Sequence, residues 1–98
     1  MKFDDYLQEK LKNPKFKKHF EEYDLPVRLA VEIVRAREKA DLTQVELGKR
    51  VGMSQSAIAR LESGDEINPE FQTITKIAHA LRPHFSFVIG EPRKLAAA

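Results

Sequence analysis

The sequence predicts an all-α protein with one short β-strand near its C-terminus, and three observations lead to this class. Apolar residues recur every three or four positions along most of the chain, as they do on one face of a helix. Proline and glycine divide the chain into short segments. Only residues 85–89 alternate between apolar and polar side chains as a strand does.

Composition indicates a single small domain. The chain has 98 residues, 42% of them hydrophobic, which is too few for two independent cores. Its 17 basic and 15 acidic side chains give a net charge of +2, and this small excess does not by itself indicate a nucleic-acid partner. The lack of cysteine excludes a disulfide framework, a thiolate zinc site and a cysteine nucleophile. No apolar run approaches the roughly 20 residues of a membrane helix, and no signal peptide opens the chain, so we expect a cytoplasmic protein without a membrane partner.

Two short amphipathic helices are predicted at the start of the chain. The first covers about residues 4–12 and the second about residues 14–23, where Asn13 is the N-cap and Pro14 the first helical residue. Their apolar side chains are too few for a core of their own, so we assign residues 1–25 to an N-terminal extension that packs on the next helix. The side chains expected to point inward are Leu7, Leu11, Phe16 and Phe20, with Tyr23 at the same helical spacing. Those expected to point outward, in a mixed-charge surface, are Tyr6, Lys15, Lys18 and Glu22.

The next helix, predicted from Pro26 to about Ala40, has apolar residues on two sides. One stripe contains Leu29, Ile33, Ala36 and Ala40, and the other contains Val27, Ala30, Val31 and Val34. Such a helix must be covered twice, by the segments that follow it and by the N-terminal extension.

Two short helices joined by a tight turn follow. Thr43 and Glu46 have the spacing of a capping box, which begins the first helix. Gly52 ends that helix, Ser54 caps the second, and Gly64 ends the second. Two short helices around a turn that contains glycine are the helix-turn-helix layout.

The second helix of this pair has an apolar side and a small, polar, basic side. The inward residues are Ala57, Ile58 and Leu61, and the outward residues are Gln55, Ser56, Ala59, Arg60 and Ser63. In the major groove of DNA, glutamine can bind adenine, arginine can bind guanine, and serine can bind either. Taken alone, however, such a face favours an ordinary solvated helix surface.

The rest of the chain gives no indication of catalysis or metal binding. A last helix over residues 70–81 places its apolar side chains on one face, which is typical of a core. His79 and His84 have no third ligand nearby, and the sequence contains no Ser/His/Asp arrangement and no glycine-rich phosphate loop. We therefore expect no enzymatic activity, no metal and no cofactor.

Residues 42–64 closely resemble the helix-turn-helix of the Xre/Cro family, which includes the lambdoid phage repressors. The likeness extends from about Leu29 to Leu81. It is carried by Leu42-Thr43-Gln44, Val51-Gly52, Ser54-Gln55, Arg60-Leu61-Glu62-Ser63-Gly64, Pro69 and Ile77-Ala78-His79-Ala80-Leu81. The resemblance implies a five-helix, lambda-repressor-like domain over residues 26–82 that binds double-stranded operator DNA.

The resemblance also implies roles for single residues. Base contacts would come from Gln55, Ser56 and Arg60, and an inward ion pair would join Arg37 to Glu62. The resemblance also implies a contact from Gln44 to the DNA backbone. We expect Thr43, at the start of the same helix, to contact the backbone as well, and positive charge adds Lys49, Arg50 and Arg35 to these contacts. The chain departs from the family in two places. Gly48 replaces the alanine usual where the two helices touch, and Asp65-Glu66-Ile67 replaces a loop that is often basic, so its acidic groups would repel phosphates.

The predicted strand at residues 85–89 has no pairing partner in an otherwise helical chain. One interpretation is a frayed tail in which one phenylalanine packs against the protein. We prefer antiparallel pairing with the same strand of a second subunit, in a homodimer held through Phe85, Phe87 and Ile89. This interpretation makes residues 83–93 a dimerisation segment, and residues 94–98 resemble a vector-derived tail.

The N-terminal extension distinguishes this chain from other Xre-type proteins. Its pattern of Tyr6, Leu7, Leu11, Pro14 and Phe16 resembles the leader of HigA-type antitoxins. That resemblance implies a bacterial, nucleoid-associated antitoxin that neutralises a RelE/HigB-like mRNA-cleaving toxin and represses its own operon. Two alternatives remain open at this point. The first is a stand-alone Xre-type repressor that uses the extension only for packing. The second, suggested by the acidic loop, is a coactivating or scaffold protein that has lost DNA binding.

Overall fold

The computed structural model describes residues 2–22, 24–65 and 68–87. Within these ranges the chain forms six α-helices: α1 (Phe3–Leu11), α2 (Pro14–Glu21), α3 (Leu25–Lys39), α4 (Gln44–Val51), α5 (Gln55–Ser63) and α6 (Phe71–Ala80). The all-helical class is therefore confirmed for these residues. Several residues that the sequence singled out lie outside the described ranges: Tyr23, Glu66, Ile67, Val88, Ile89 and the tail 94–98.

Helix α3 lies between two apolar clusters, as its two stripes predict. On one side, Leu29, Ile33 and Ala36 pack against residues of α4, α5 and α6 to form the main core. On the other side, Val31 and Val34 pack against side chains of α1 and α2. The N-terminal extension is thus docked on the side of α3 opposite the main core.

Local sequence signals begin and end the two helices of the helix-turn-helix. The Thr43 hydroxyl accepts a hydrogen bond from the Glu46 amide, and the Glu46 carboxylate accepts one from the Thr43 amide, so the predicted capping box begins α4. The Ser54 hydroxyl accepts from the Ala57 amide and begins α5. Gly52 and Gly64 end the two helices with φ of 73° and 83°, values that glycine adopts without the steric cost of a side chain.

The predicted fold differs from the structure at its C-terminal end. Among the described residues after α2 there are four helices rather than the expected five, and residues 85–87 do not form a strand. Pro83 disfavours helical geometry in the residue before it, which ends the helical part of the chain after α6. The backbone that follows is bound to α3: the Ser86 amide donates to the Glu32 carboxylate at 2.7 Å, and Arg35 donates to the His84 carbonyl. Phe85 and Phe87 pack against the main core.

We expect Gly48→Ala to destabilise the protein. A Cβ at this position would lie 2.5 Å from the Met53 carbonyl oxygen, so the backbone of the turn between α4 and α5 would have to move. Such overpacking costs about 1–3 kcal/mol, which outweighs the roughly 1 kcal/mol that alanine gains in helix propensity. Urea denaturation measures the change, with Lys49→Ala on the exposed side of α4 as the control. If Gly48→Ala is as stable as the wild type, the backbone of the turn can shift away from the new Cβ without loss of folding free energy, and the prediction is wrong.

None of the described helices is long and apolar enough to cross a membrane.

Candidate nucleic-acid interface

The outer face of α5 carries the three residues expected to contact bases. Gln55, Ser56 and Arg60 are all exposed, while Ile58 and Leu61 on the opposite side are buried in the main core. Ser54, the cap, makes Gln55 and Ser56 the first residues of the helix. The structure therefore places these three side chains together on one accessible helix face.

A chain of hydrogen bonds connects Gln55 to a buried ion pair. Glu62 is 4% exposed, and its carboxylate accepts two hydrogen bonds from Arg37, at 2.6 and 2.9 Å. The Gln44 Nε2 donates to Glu62 Oε1 at 3.0 Å, and the Gln55 Nε2 donates to Gln44 Oε1 at 2.9 Å. The structure thus brings Arg37 and Glu62 together as an inward pair and links that pair to Gln55 on the exposed face of α5.

The Glu62 carboxylate determines the direction of this hydrogen-bond chain. An ionised carboxylate only accepts hydrogen bonds, so Gln44 must present its NH₂ group to Glu62 and its carbonyl oxygen to Gln55. One N–H of the Gln55 side-chain amide donates to that carbonyl oxygen. Its other N–H and its own carbonyl oxygen are available to a base. Adenine offers an acceptor and a donor side by side in the major groove, whereas guanine offers two acceptors. This arrangement suits adenine.

The residues expected at the DNA backbone fall into three groups. Lys49 and Arg50 are exposed on α4, and Thr43 is exposed at its start. Gln44 is hydrogen-bonded on both sides, to Glu62 and Gln55, so its side-chain amide orients Gln55, which is expected to contact bases. Arg35 differs from these residues, because its side chain is held by Glu32 at 2.6 Å and by the backbone of the C-terminal segment.

The loop after α5 is acidic at its described end. Asp65 is exposed, and its carboxylate lies 3.0 Å from the Ser63 hydroxyl. Its charge lies beside the C-terminal end of α5, where it disfavours close approach of a phosphate.

The prediction that Tyr6 lies on the outer surface of the extension is wrong. Tyr6 is 8% exposed and packs with Val31 and Val34, and its hydroxyl donates to the Glu62 carbonyl at 2.7 Å. Burial, and to a smaller extent the charge of Glu62, raise the pKa of this hydroxyl above its ordinary range, so it remains a donor. The sequence signal for this burial is the spacing of Phe3, Tyr6 and Lys10, which share one face of α1, whereas Leu7 and Leu11 alone indicate a different inner face.

No group of three or more histidine, aspartate or glutamate side chains that could hold a metal ion occurs in the described part of the chain.

Comparison with known proteins supports the helix-turn-helix assignment. Residues 33–84 match the helix-turn-helix family model. Two curated relatives are the proteins named Antitoxin HigA1 from Mycobacterium tuberculosis strains CDC 1551 / Oshkosh and ATCC 25618 / H37Rv. Each is 29% identical to this chain over 80 residues, which cover 82% of this chain and 53% of the relative. The chain therefore spans about half the length of these relatives. No solved structure matches the chain significantly.

Proposed function

Because the chain belongs to the Xre-type helix-turn-helix family, we propose that it is a sequence-specific DNA-binding antitoxin that neutralises an mRNA-cleaving toxin and represses its own operon. The observation that carries the DNA-binding part is the exposed face of α5, on which Gln55 is oriented from behind by Gln44 and Glu62. In this proposal Gln55, Ser56 and Arg60 contact bases, while Thr43, Lys49 and Arg50 contact the DNA backbone. The protein acts on the nucleoid in the bacterial cytoplasm, without a cofactor and not as an enzyme.

The antitoxin part rests on the N-terminal extension and on the names of the curated relatives. Helices α1 and α2 add an outer surface beside the helix-turn-helix that makes no DNA contact in this proposal. Lys15, Lys18 and Glu22 are exposed there, so the surface carries both signs of charge. We assign a RelE/HigB-like toxin to this surface.

We also propose a homodimer, because proteins with this motif read two half-sites with two copies. The surface that supports it is a groove of about 360 Å³ between α6 and the segment that carries Phe85 and Phe87. Phe71, on the rim of this groove, is 76% exposed. In this proposal a second copy covers the groove through side-chain packing, without the strand pairing that the sequence suggested.

A stand-alone repressor is the second candidate, and one observation favours it. Tyr6 and Lys10 of the extension donate hydrogen bonds to backbone carbonyls at the end of α5. The extension therefore stabilises the end of α5 whether or not a toxin binds to it. The gene next to this one distinguishes the two candidates, because only the antitoxin requires a small toxin gene there.

Substitutions on the two DNA-facing surfaces should have different signatures. Gln55→Ala and Arg60→Ala should each weaken operator binding by about 1–3 kcal/mol and relax the base preference at one position. Lys49→Ala and Arg50→Ala should weaken binding to all sequences alike and lower the slope of log K against log salt by about one. Titrations of DNA from upstream of the gene and of a scrambled duplex, at several salt concentrations, measure both effects.

Lys76→Ala on α6, which is exposed and lies outside the proposed contacts, is the control and should bind as the wild type does. If all four substitutions reduce affinity equally for the operator and the scrambled duplex, the division between base and backbone contacts is wrong.

A further inference from the structure

The C-terminal end of α5 needs hydrogen-bond donors from outside the helix. The last four carbonyls of any α-helix have no partner within it. In α5, two of them are met locally: the Ser63 hydroxyl donates to the Arg60 carbonyl at 2.7 Å, and the Gly64 amide donates to the Leu61 carbonyl at 3.3 Å.

The other two carbonyls are met by α1 of the N-terminal extension. The Tyr6 hydroxyl donates to the Glu62 carbonyl at 2.7 Å, and the Lys10 ammonium donates to the Ser63 carbonyl at 3.5 Å. Both donors come from a segment that precedes the part of the chain matched by the helix-turn-helix family. The helix that faces DNA is therefore capped by a segment that lies outside the motif.

The Tyr6 hydroxyl is held firmly in place. Its ring packs with Val31 and Val34 of α3 and stacks on Phe3, with ring centroids 6.4 Å apart. The Lys10 ammonium lies 6.0 Å from the centroid of the Tyr6 ring, within the range of a cation–π interaction. Contacts from α1 and α3 therefore hold the Tyr6 hydroxyl in the position from which it donates to the Glu62 carbonyl.

Glu62 is also the residue whose carboxylate orients the base-contacting glutamine. Its carbonyl binds Tyr6, and its carboxylate binds Arg37 and Gln44, which in turn binds Gln55. A shift of the Glu62 backbone moves the carboxylate with it, and the amides of Gln44 and Gln55 must follow or lose their hydrogen bonds.

We propose that Tyr6 is a positioning residue for DNA recognition, which fixes the end of α5 through the Glu62 carbonyl and so sets the orientation of Gln55. The N-terminal extension is then part of the DNA-reading apparatus as well as a surface for a partner. A protein that binds the extension and disturbs Tyr6 changes operator affinity, and operator DNA changes affinity for that protein by the same factor. The DNA-binding consequence rests on the proposed function, whereas the orientation of Gln55 does not.

The first test needs no DNA. Tyr6→Phe keeps the ring and removes only the hydroxyl. Leu7→Ala is the matched control, because Leu7 packs in the same apolar cluster and its side chain has no polar group with which to bind α5. We expect NMR spectra of the full chain to show displaced side-chain NH₂ resonances of Gln44 and Gln55 in Tyr6→Phe and wild-type positions in Leu7→Ala. Unchanged amide resonances in Tyr6→Phe, or equal displacement in both variants, would overturn the proposal.

The second test measures operator affinity at a temperature where both variants remain folded. We expect Tyr6→Phe to bind about 3- to 10-fold more weakly than the wild type, which corresponds to one lost hydrogen bond of ordinary strength. The salt slope should not change, because no phosphate contact is removed. Leu7→Ala should bind like the wild type. If Tyr6→Phe binds with wild-type affinity, the positioning role is wrong. If the wild type selects no DNA sequence, the proposed function is refuted, and the NMR result alone decides the role of Tyr6.

Discussion

Arg37→Ala is expected to lower the free energy of unfolding by about 3–5 kcal/mol, because it leaves a buried carboxylate without its counterion. The side chains of Arg37 and Glu62 are 16% and 4% exposed, so the pair is largely shielded from water in the folded protein. Arg37 also donates to the Leu42 carbonyl at 2.9 Å, which ties the end of α3 to the start of the helix-turn-helix. Chemical denaturation followed by circular dichroism measures the change.

The matched control for this substitution is Lys12→Ala. Lys12 forms an ion pair with Glu9 at 3.1 Å, but their side chains are 74% and 68% exposed, so its loss should change stability by less than about 0.5 kcal/mol. The double variant Arg37→Met/Glu62→Leu should recover most of the lost stability, since no buried charge remains. It should still bind the operator poorly, because Gln44 has lost its acceptor. An Arg37→Ala protein as stable as Lys12→Ala would contradict the importance of the buried pair.

Removal of residues 1–24 is expected to abolish toxin neutralisation while operator binding falls only about 10-fold. The truncation removes the whole surface that we assign to the toxin but leaves Gln55, Ser56 and Arg60 in place. It also exposes Val27, Val31 and Val34, so the truncated protein should be less stable. Growth of cells that express the neighbouring toxin gene, compared with gel-shift affinity of the same protein, measures the two effects separately.

A point substitution tests the same surface without loss of the fold. Lys18→Glu reverses a charge on the exposed side of α2 and should change the amount of antitoxin required for growth rescue at least 10-fold, because it alters the electrostatic match with the partner. Lys39→Glu, on the exposed side of α3, should rescue fully. Full growth rescue by the protein that lacks residues 1–24 would show that the toxin binds a surface other than the extension.

The sequence was sufficient for the helix-turn-helix because its local signals and its tertiary packing agree. The capping box at Thr43, the serine cap at Ser54 and the glycines at positions 52 and 64 act within a few residues, so spacing alone predicts the bounds of α4 and α5. The two apolar stripes of α3 likewise predicted two packing partners, and the structure contains both.

The sequence was insufficient where a residue's partner lies far along the chain. Tyr6 and Glu62 are 56 positions apart, and nothing local to α1 shows that a carbonyl at the end of α5 needs a donor. The segment at residues 85–87 has the pattern of a strand, yet the Ser86 amide donates to the Glu32 carboxylate instead, and Arg35 donates to the carbonyl of the preceding His84. Each of these two errors, at Tyr6 and at residues 85–87, reflects a tertiary contact that overrides a local pattern. The expected role of Arg35 at the DNA backbone, by contrast, stays a prediction.

The central claim is that the exposed face of α5 reads a DNA sequence. Selection of bound duplexes from a random library tests it most directly, because the library contains every candidate half-site. We expect an enriched inverted repeat whose half-sites lie about one helical turn apart, roughly 34 Å, or a multiple of it. We also expect Gln55→Ala to lose the preference for adenine at one position of each half-site and to keep the rest. A library without an enriched motif, or a motif that Gln55→Ala leaves unchanged, would contradict the account.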